Sequence, residues 1–169
     1  KKVRINSFKV SFIPIPHSVP ESSSILIETE QGNIFHSGDF KIDHNPVIGD
    51  SIDYQLIKKA TSNNILALMC DSTNVFSRHS GRSESLLNQS FDDLFLNSRG
   101  LVVATTFASN LARLKTIAVA AKNNGREICV LGRAMNSMLK AAQSVGILQD
   151  FPNLISPKEA KKIPRERLL

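Results

Sequence analysis

Three apolar runs of strand length alternate with helical patterns, and this alternation constrains the fold more than any other feature. The runs are Ile65–Cys70, Leu101–Thr105 and Glu127–Leu131. Apolar residues at helical spacing follow each of them, in 84–97, 111–123 and 136–145. Continuous apolar runs are typical of strands that are buried on both faces. The order strand, helix, strand, helix therefore predicts an α/β unit with a mostly parallel sheet.

Capping residues fix the ends of these helices. Ser83 is a favourable amino-terminal cap for the first helix, and Asn124-Gly125 ends the second. Gly146 ends the third helix. Ser156 is the predicted cap of a last helical turn over 157–162, with Pro157 at the first helical position.

Strands dominate the part of the chain before Ile65. Phe8–Ile13 alternates apolar residues with Lys9 and Ser11, which predicts a strand with one apolar face. Ile25–Thr29 and Asn33–Ser37 flank a turn that contains glycine, which predicts a hairpin. A short helix is predicted over Asp53–Thr61.

Two polar residues follow predicted strands in this first part. His17 comes after Pro14 and Pro16, and Asp39 comes after Gly38. An imidazole and a carboxylate at neighbouring strand ends are donors that a zinc ion uses. Each also has an ordinary interpretation, because histidine and aspartate are common in turns and caps. Two donors alone do not make a metal site.

The composition is that of a soluble globular protein. Of the 169 residues, 41% are apolar and 21% are charged, which excludes disordered and fibrous classes. No apolar run has the length of a membrane span. The basic amino end lacks the apolar block of a signal peptide, so we expect a cytoplasmic protein.

The net charge of +6 and the pI of about 9.6 favour a polyanionic partner. Much of this charge lies in the last residues, KEAKKIPRERLL, where a solvated helix face is the alternative interpretation. Cys70 and Cys129 lie inside apolar runs and are expected to be buried free thiols, because the sequence contains no CxxC motif.

Five short motifs occur in an order that resembles one known family. They are HSVPES, HSGDFKID, DSTN, TTFASN and GRAM, starting at residues 17, 36, 71, 105 and 132. Together they resemble the ribonuclease J family, which belongs to the β-CASP group of metallo-β-lactamase-fold nucleases. The resemblance runs from Phe8 to Leu169.

The resemblance implies a fold and a function. It implies an α/β protein in which 1–72 form part of a metallo-β-lactamase αββα sandwich and 73–169 form the first part of a β-CASP domain. It also implies a zinc-dependent ribonuclease with two zinc ions that acts on single-stranded RNA in decay or maturation. By position, His17 matches a histidine ligand and Asp39 matches the aspartate that bridges both metals. Asp71 matches the acidic residue that supports a metal-binding histidine, although it is equally suited to accept hydrogen bonds in its own turn.

Several other polar residues are candidates for contact with RNA. Ser109 and Asn110 precede a helix whose free N–H groups favour anions, although ordinary capping is the alternative. Three arginines are candidate contacts to the RNA backbone: Arg78, Arg82 and Arg133. The remaining histidines, His36, His44 and His79, are expected to be structural or exposed.

The sequence also departs from the family pattern. The HxHxDH motif that supplies most zinc ligands is absent, Glu21 replaces a usual aspartate and Ala112 replaces a frequent histidine. The sequence is therefore expected to be an interior part of such a nuclease. We expect it to bind zinc weakly and to lack activity alone. We also expect apolar faces around 8–37 to be poorly covered, or covered by another copy of the chain.

Two further functions compete with the enzyme. A non-catalytic RNA-binding or assembly module derived from such an enzyme would bind RNA in a salt-sensitive way without hydrolysis. A small doubly wound domain that binds a nucleotide is disfavoured, because no GxGxxG or Walker loop follows any strand.

Overall fold

A computed structural model describes residues 1–78 and 81–169, which form two compact units. Unit 1 comprises Lys1–His17, Glu21–His44 and Gly49–Gly81, and unit 2 comprises Ser18–Pro20, Asn45–Ile48 and Arg82–Leu169. The assignment of 1–72 and 73–169 to two enzyme domains stays a prediction. None of the described helices is long and apolar enough to cross a membrane.

Unit 1 contains a five-stranded sheet and one helix. The strands are β1 Lys2–Ile5, β2 Phe8–Pro14, β3 Ser23–Glu28, β4 Asn33–His36 and β5 Ile65–Met69, and the helix is α1 Tyr54–Ala60. The spatial order follows the chain order; β1 to β4 pair antiparallel and only β4 and β5 pair parallel. The mostly parallel sheet predicted from Ile65 onward does not form among the described residues. The sheet of unit 1 is mostly antiparallel, because short turns join β1 to β2 and β3 to β4, and short turns impose antiparallel pairing.

The predicted strands at 8–13, 25–29 and 33–37 are confirmed, together with the helix after Asp53. The Asp53 side chain caps α1 by accepting a hydrogen bond from the Leu56 N–H at 2.9 Å. Strand β1 is absent from the prediction, and it pairs with β2 across a two-residue turn in which Asn6 has a positive φ.

The buried face of the sheet is not the one that the alternation in β2 suggests. Ile13, Leu26 and Phe35 form the buried cluster, against which Ile57 of α1 packs. Phe8 and Phe12 on the opposite face of β2 stay 45% and 38% exposed. Helix α1 covers only one face, so the exposed apolar face expected around 8–37 is present.

Strand β5 also differs from its prediction. Its continuous apolar run suggests burial on both faces, yet Leu66 and Leu68 are 65% and 63% exposed. The strand is the sheet edge within the described residues, and it pairs with β4 alone. Cys70, which follows it, is free and exposed instead of buried, whereas Cys129 is free and half-buried.

Unit 2 is mainly helical. A 3₁₀ turn at Glu84–Leu87 leads into α2 Asn88–Asn97, and α3 Leu111–Asn123, α4 Arg133–Ser144, α5 Pro157–Ala160 and a 3₁₀ turn at Arg165–Arg167 follow. Helix α3 has the predicted bounds, and seven of its residues are buried. The predicted cap at Ser156 is present, and it forms a capping box, because the Ser156 Oγ and the Glu159 carboxylate each accept a backbone N–H. That contact holds the pKa of Glu159 below its ordinary value.

The predicted strands at 101–105 and 127–131 are not formed. Only isolated parallel bridges occur, between Glu127 and Leu168 and between Ile128 and Leu154. The backbone N–H of Val102 donates to the Leu168 carbonyl at 3.3 Å. Residues 127–129 exchange three backbone hydrogen bonds with 167–169, which is a contact too short to form a strand.

Candidate functional site

Three of the predicted site residues follow strands that end at one edge of the unit 1 sheet. Strands β2 and β4 run in the same direction because β3 lies antiparallel between them, and β5 is parallel to β4. The carboxyl ends of all three strands therefore meet at one edge. His17, Asp39 and Asp71 come within three residues of those ends.

Backbone contacts bring the loops at this edge together. The carbonyl oxygen of Pro16 accepts a hydrogen bond from the N–H of Lys41 at 2.7 Å. The loop after β2 is closed by a bond from the Ile15 N–H to the Ser22 carbonyl at 3.0 Å. His17, directly after Pro16, is half-buried. The segment that carries His17 thus lies against the segment that carries Asp39.

A glycine turn sets the direction of the chain before Asp39. Gly38 has φ of +63°, a left-handed conformation that favours glycine. A Cβ atom at this position would lie 3.1 Å from the Ser23 carbonyl oxygen. The Gly38 N–H donates to Nδ1 of His36 at 2.9 Å, and Asp39 is exposed. His36 is exposed and structural, as predicted.

Ser37 connects this turn to β5. Its N–H donates to the Met69 carbonyl at 2.8 Å. Its Oγ donates to the Gly38 carbonyl at 2.7 Å and accepts from the Asp71 N–H at 2.9 Å. Sequence reasoning missed Ser37, and its only signal is a polar residue placed between a strand and a left-handed glycine.

Asp71 accepts hydrogen bonds within its own turn. Its Oδ1 lies 2.6 Å from Thr73 Oγ1 and 2.9 Å from the Thr73 N–H. These bonds, a further bond from the Phe40 N–H and the charge of His17 hold the pKa of Asp71 below its ordinary value. The structure thus contains the hydrogen bonds that the turn interpretation of Asp71 expects. His17 and the backbone of Phe40, in the loop of Asp39, also lower the pKa of this carboxyl group.

The donors at this edge do not complete a zinc centre. Within 1–78 and 81–169, histidine, cysteine and acidic side chains nowhere form a group of three or more suited to a metal ion. Protein zinc sites use three or four protein ligands. The described residues alone therefore do not fit a zinc ion, which agrees with the absence of HxHxDH from the sequence.

The candidate phosphate contacts lie elsewhere in the two units. In unit 2, Asn110 caps α3, since its Oδ1 accepts from the Arg113 N–H at 3.0 Å. Arg113 also forms an ion pair with the buried Glu84. Ser109 is half-buried beside this cap, and Arg133 is exposed at the start of α4.

The other candidate arginines, Arg78 in unit 1 and Arg82 in unit 2, are exposed. His44 is exposed, with its ring 6.0 Å from that of Tyr54. His79 lies outside the described residues.

Comparison with known proteins agrees with the five sequence motifs. Residues 99–169 match the family model described as ribonuclease J, beta-CASP domain. The chain is 32% identical to ribonuclease J of Sinorhizobium meliloti over 99% of its length, and 34% identical to ribonuclease J2 of Bacillus subtilis over 98%. The chain resembles ribonuclease J over nearly its whole length. That prediction is confirmed.

The chain spans about 30% of the length of these two ribonuclease J relatives. A solved structure of a protein of unknown function from Enterococcus faecalis matches 100% of this chain and 42% of its own, with a TM-score of 0.64 and 16% identity. At this identity the structural match concerns the fold alone. The family match at 99–169 agrees with a β-CASP α/β domain in the second part of the chain, whereas the metallo-β-lactamase sandwich stays a prediction.

Proposed function

We propose that this chain is part of a metal-dependent ribonuclease that hydrolyses RNA phosphodiester bonds in RNA decay or maturation. The single observation that carries the proposal is the meeting of three strand ends, which brings the segments of His17, Asp39 and Asp71 to one edge of the sheet. Similarity to ribonuclease J along nearly the whole chain supports the same reaction class.

In this proposal His17 and Asp39 are two donors of a zinc centre whose other donors are not among the described residues. Imidazole and carboxylate groups are both ordinary zinc donors. Asp71 stays ionised through its contacts with Thr73 and Phe40, and it supplies negative charge beside His17. A carboxylate next to an imidazole favours a defined ring orientation, which is the role that such groups have around metal-binding histidines.

Single-stranded RNA is the proposed substrate. Arg78 and Arg133 are exposed cations that suit phosphate oxygens, and Ser109 and Asn110 lie at the amino end of α3. Since Asn110 already caps the helix, its contribution to RNA is the weaker of these two. A cytoplasmic location and association with another copy of the chain stay predictions.

One observation favours a second candidate function. Because the described residues offer no group of three metal-binding side chains, the isolated chain fits a non-catalytic RNA-binding or assembly module. The net charge of +6 is compatible with that role. Both candidates share RNA as the partner, so binding alone does not separate them.

Two assays test these candidates: both candidates share the result expected in the first, and the second separates them. The first incubates the purified chain with end-labelled single-stranded RNA, with zinc or with a chelator, beside Asp39→Ala. We expect salt-sensitive binding without cleavage; zinc-stimulated cleavage that Asp39→Ala abolishes would contradict inactivity of the chain alone. The second determines the coding sequence on both sides of the segment that encodes this chain. An HxHxDH motif before Lys1 and a histidine ligand after Leu169 support the ribonuclease, and their absence supports the binding module.

A further inference from the structure

Ser37 is buried where the end of β4 meets the end of β5. Its side chain is among the buried polar groups of unit 1, with a relative exposure of 5%. Ser24, which is fully buried, donates its Oγ hydrogen to the Ser37 carbonyl at 2.7 Å. Ser37 is therefore held on its backbone side by the sheet, and its hydroxyl is left for the loops beyond the strands.

The hydroxyl of Ser37 contacts both acidic loops. It donates to the carbonyl of Gly38, which belongs to the peptide bond joining Gly38 to Asp39. It accepts from the N–H of Asp71 itself. A serine hydroxyl has one donor and two acceptor positions, so a single oxygen makes both bonds at once. Alanine in its place removes both bonds, and threonine retains the group that makes them.

The backbone that follows Asp39 also influences Asp71. Phe40 directly follows Asp39, and its backbone contributes to the lowered pKa of the Asp71 carboxyl group. The Ser37 hydroxyl makes the hydrogen bonds that join the peptide group before Asp39 to the Asp71 N–H. Asp39 itself is exposed.

We propose that Ser37 is a positioning residue that holds the backbones of Asp39 and Asp71 at a fixed separation. The functional importance of this separation rests on the proposed ribonuclease function, in which Asp39 is a metal donor and Asp71 acts beside His17. Both hydrogen bonds of the Ser37 hydroxyl go to backbone groups of the two loops. Loss of this hydroxyl weakens the link between the loop after β4 and the loop after β5, while the backbone bond from Ser37 to Met69 keeps the strands paired.

The test is amide hydrogen exchange of the metal-free, RNA-free chain, measured by NMR on Ser37→Ala, Ser37→Thr and Ser24→Ala. In Ser37→Ala the Asp71 amide should exchange roughly tenfold faster relative to amides of β2 and β3, the change that loss of one hydrogen bond produces. The carboxyl resonance of Asp71 should shift as well. Ser37→Thr should retain the protection of the Asp71 amide to within about twofold, since the threonine hydroxyl still accepts the hydrogen bond from the Asp71 N–H.

Ser24→Ala is the matched control. It removes a buried serine hydroxyl from the same group of contacts, yet it leaves both bonds of the Ser37 hydroxyl intact. It should therefore change all sheet amides together, without a selective effect at Asp71. An unchanged Asp71 amide in Ser37→Ala, a selective effect in Ser24→Ala, or a loss in Ser37→Thr as large as in Ser37→Ala would each overturn the proposal.

These outcomes do not depend on the ribonuclease assignment. If no variant binds RNA and no flanking ligand motif exists, the proposed function fails while the exchange data still decide the role of Ser37. If RNA binding is present and Asp71 exchange is insensitive to Ser37, only the positioning role fails.

Discussion

Arg126 is a buried cation whose removal should destabilise unit 2. It is 5% exposed, and its guanidinium donates to the carbonyl oxygens of Ser98 at 2.6 Å, Gly100 at 2.8 Å and Leu168 at 3.1 Å. The group also lies 5.7 Å from the centre of the Phe95 ring. One side chain thus joins the segment after α2 to the end of the chain. Arg126→Met retains much of the volume and removes every donor.

The expected loss of unfolding free energy follows from the carbonyl oxygens that no longer accept hydrogen bonds from the guanidinium group. Loss of a hydrogen bond costs about 1 kcal/mol, and the cost here is less than three full bonds, because Leu168 keeps the Val102 N–H as a donor and Gly100 is exposed to water. Loss of the cation–π contact adds about 0.5 kcal/mol, and relief from burying a charge offsets a similar or larger amount. We expect the free energy of unfolding to fall by about 2 kcal/mol.

Urea unfolding followed by far-ultraviolet circular dichroism measures this change, because α2, α3 and α4 all lie in unit 2. Arg99→Met is the matched control, since Arg99 is exposed and its loss should change stability by less than about 0.5 kcal/mol. Arg126→Lys should recover only part of the loss, because an ammonium group lacks the planar fork that reaches three carbonyls. A loss below about 1 kcal/mol in Arg126→Met would refute the assignment of Arg126 as the link between these segments.

Three further predictions concern single side chains. Gly38→Ala should lower the free energy of unfolding by about 2 kcal/mol, and Gly49→Ala by about 1 kcal/mol. Both glycines have a positive φ, but of the two only Gly38 has a backbone oxygen 3.1 Å from the added Cβ. Equal losses in chemical denaturation would contradict this. Thr116→Val should raise stability by about 1 kcal/mol, because the Thr116 hydroxyl is buried without a hydrogen-bond partner in the described part of the chain; a lower unfolding midpoint would show that the hydroxyl is needed. Thr73→Val should raise the pKa of Asp71 toward its ordinary value of 3.8, as measured by NMR titration of its carboxyl group. In the unchanged protein, the stability that the Thr73 contact adds above that pH should be lost as the pH falls through the lowered pKa. An unchanged titration in Thr73→Val would mean that Phe40 and His17 cause most of the shift in pKa.

Local chemistry made the bounds of α3 and the cap of α5 predictable, whereas α4 begins at Arg133, before the predicted residue 136, and the predicted helix over 84–97 begins as a 3₁₀ turn. The bounds of α3 follow from apolar spacing between Asn110 and Asn124, and Asn110 and Ser156 both act as caps. Gly125 adopts the positive φ expected of a helix stop. Capping and periodicity depend on residues within one or two turns, so the sequence alone contains the necessary information.

The burial of a strand depends on the segments that pack against it, and the sequence of the strand does not identify those segments. The apolar run of β5 predicts a strand buried on both faces, yet Leu66 and Leu68 are exposed because no described segment covers their face of the sheet. In the same way, 101–105 and 127–131 have strand composition but find only short backbone partners. An apolar run indicates a preference for burial, and it does not indicate which segment will cover it.

The residues of the candidate site could be predicted from the sequence, but the hydrogen bonds that position them could not. His17, Asp39 and Asp71 come from family motifs at strand ends, and the direction of the strands brings their segments to one edge. The contacts of Ser37 and His36 could not be predicted, since they depend on the rotation of a glycine turn against a strand far along the chain.

Binding of cobalt(II), a paramagnetic substitute for zinc, tests the central claim most directly. Titrated into the isotope-labelled chain, it should first broaden NMR signals of residues 16–17, 38–41 and 70–72. This broadening should disappear in both His17→Ala and Asp39→Ala. Broadening that begins elsewhere, or that survives both substitutions, would contradict a metal-binding role for the edge where β2, β4 and β5 end.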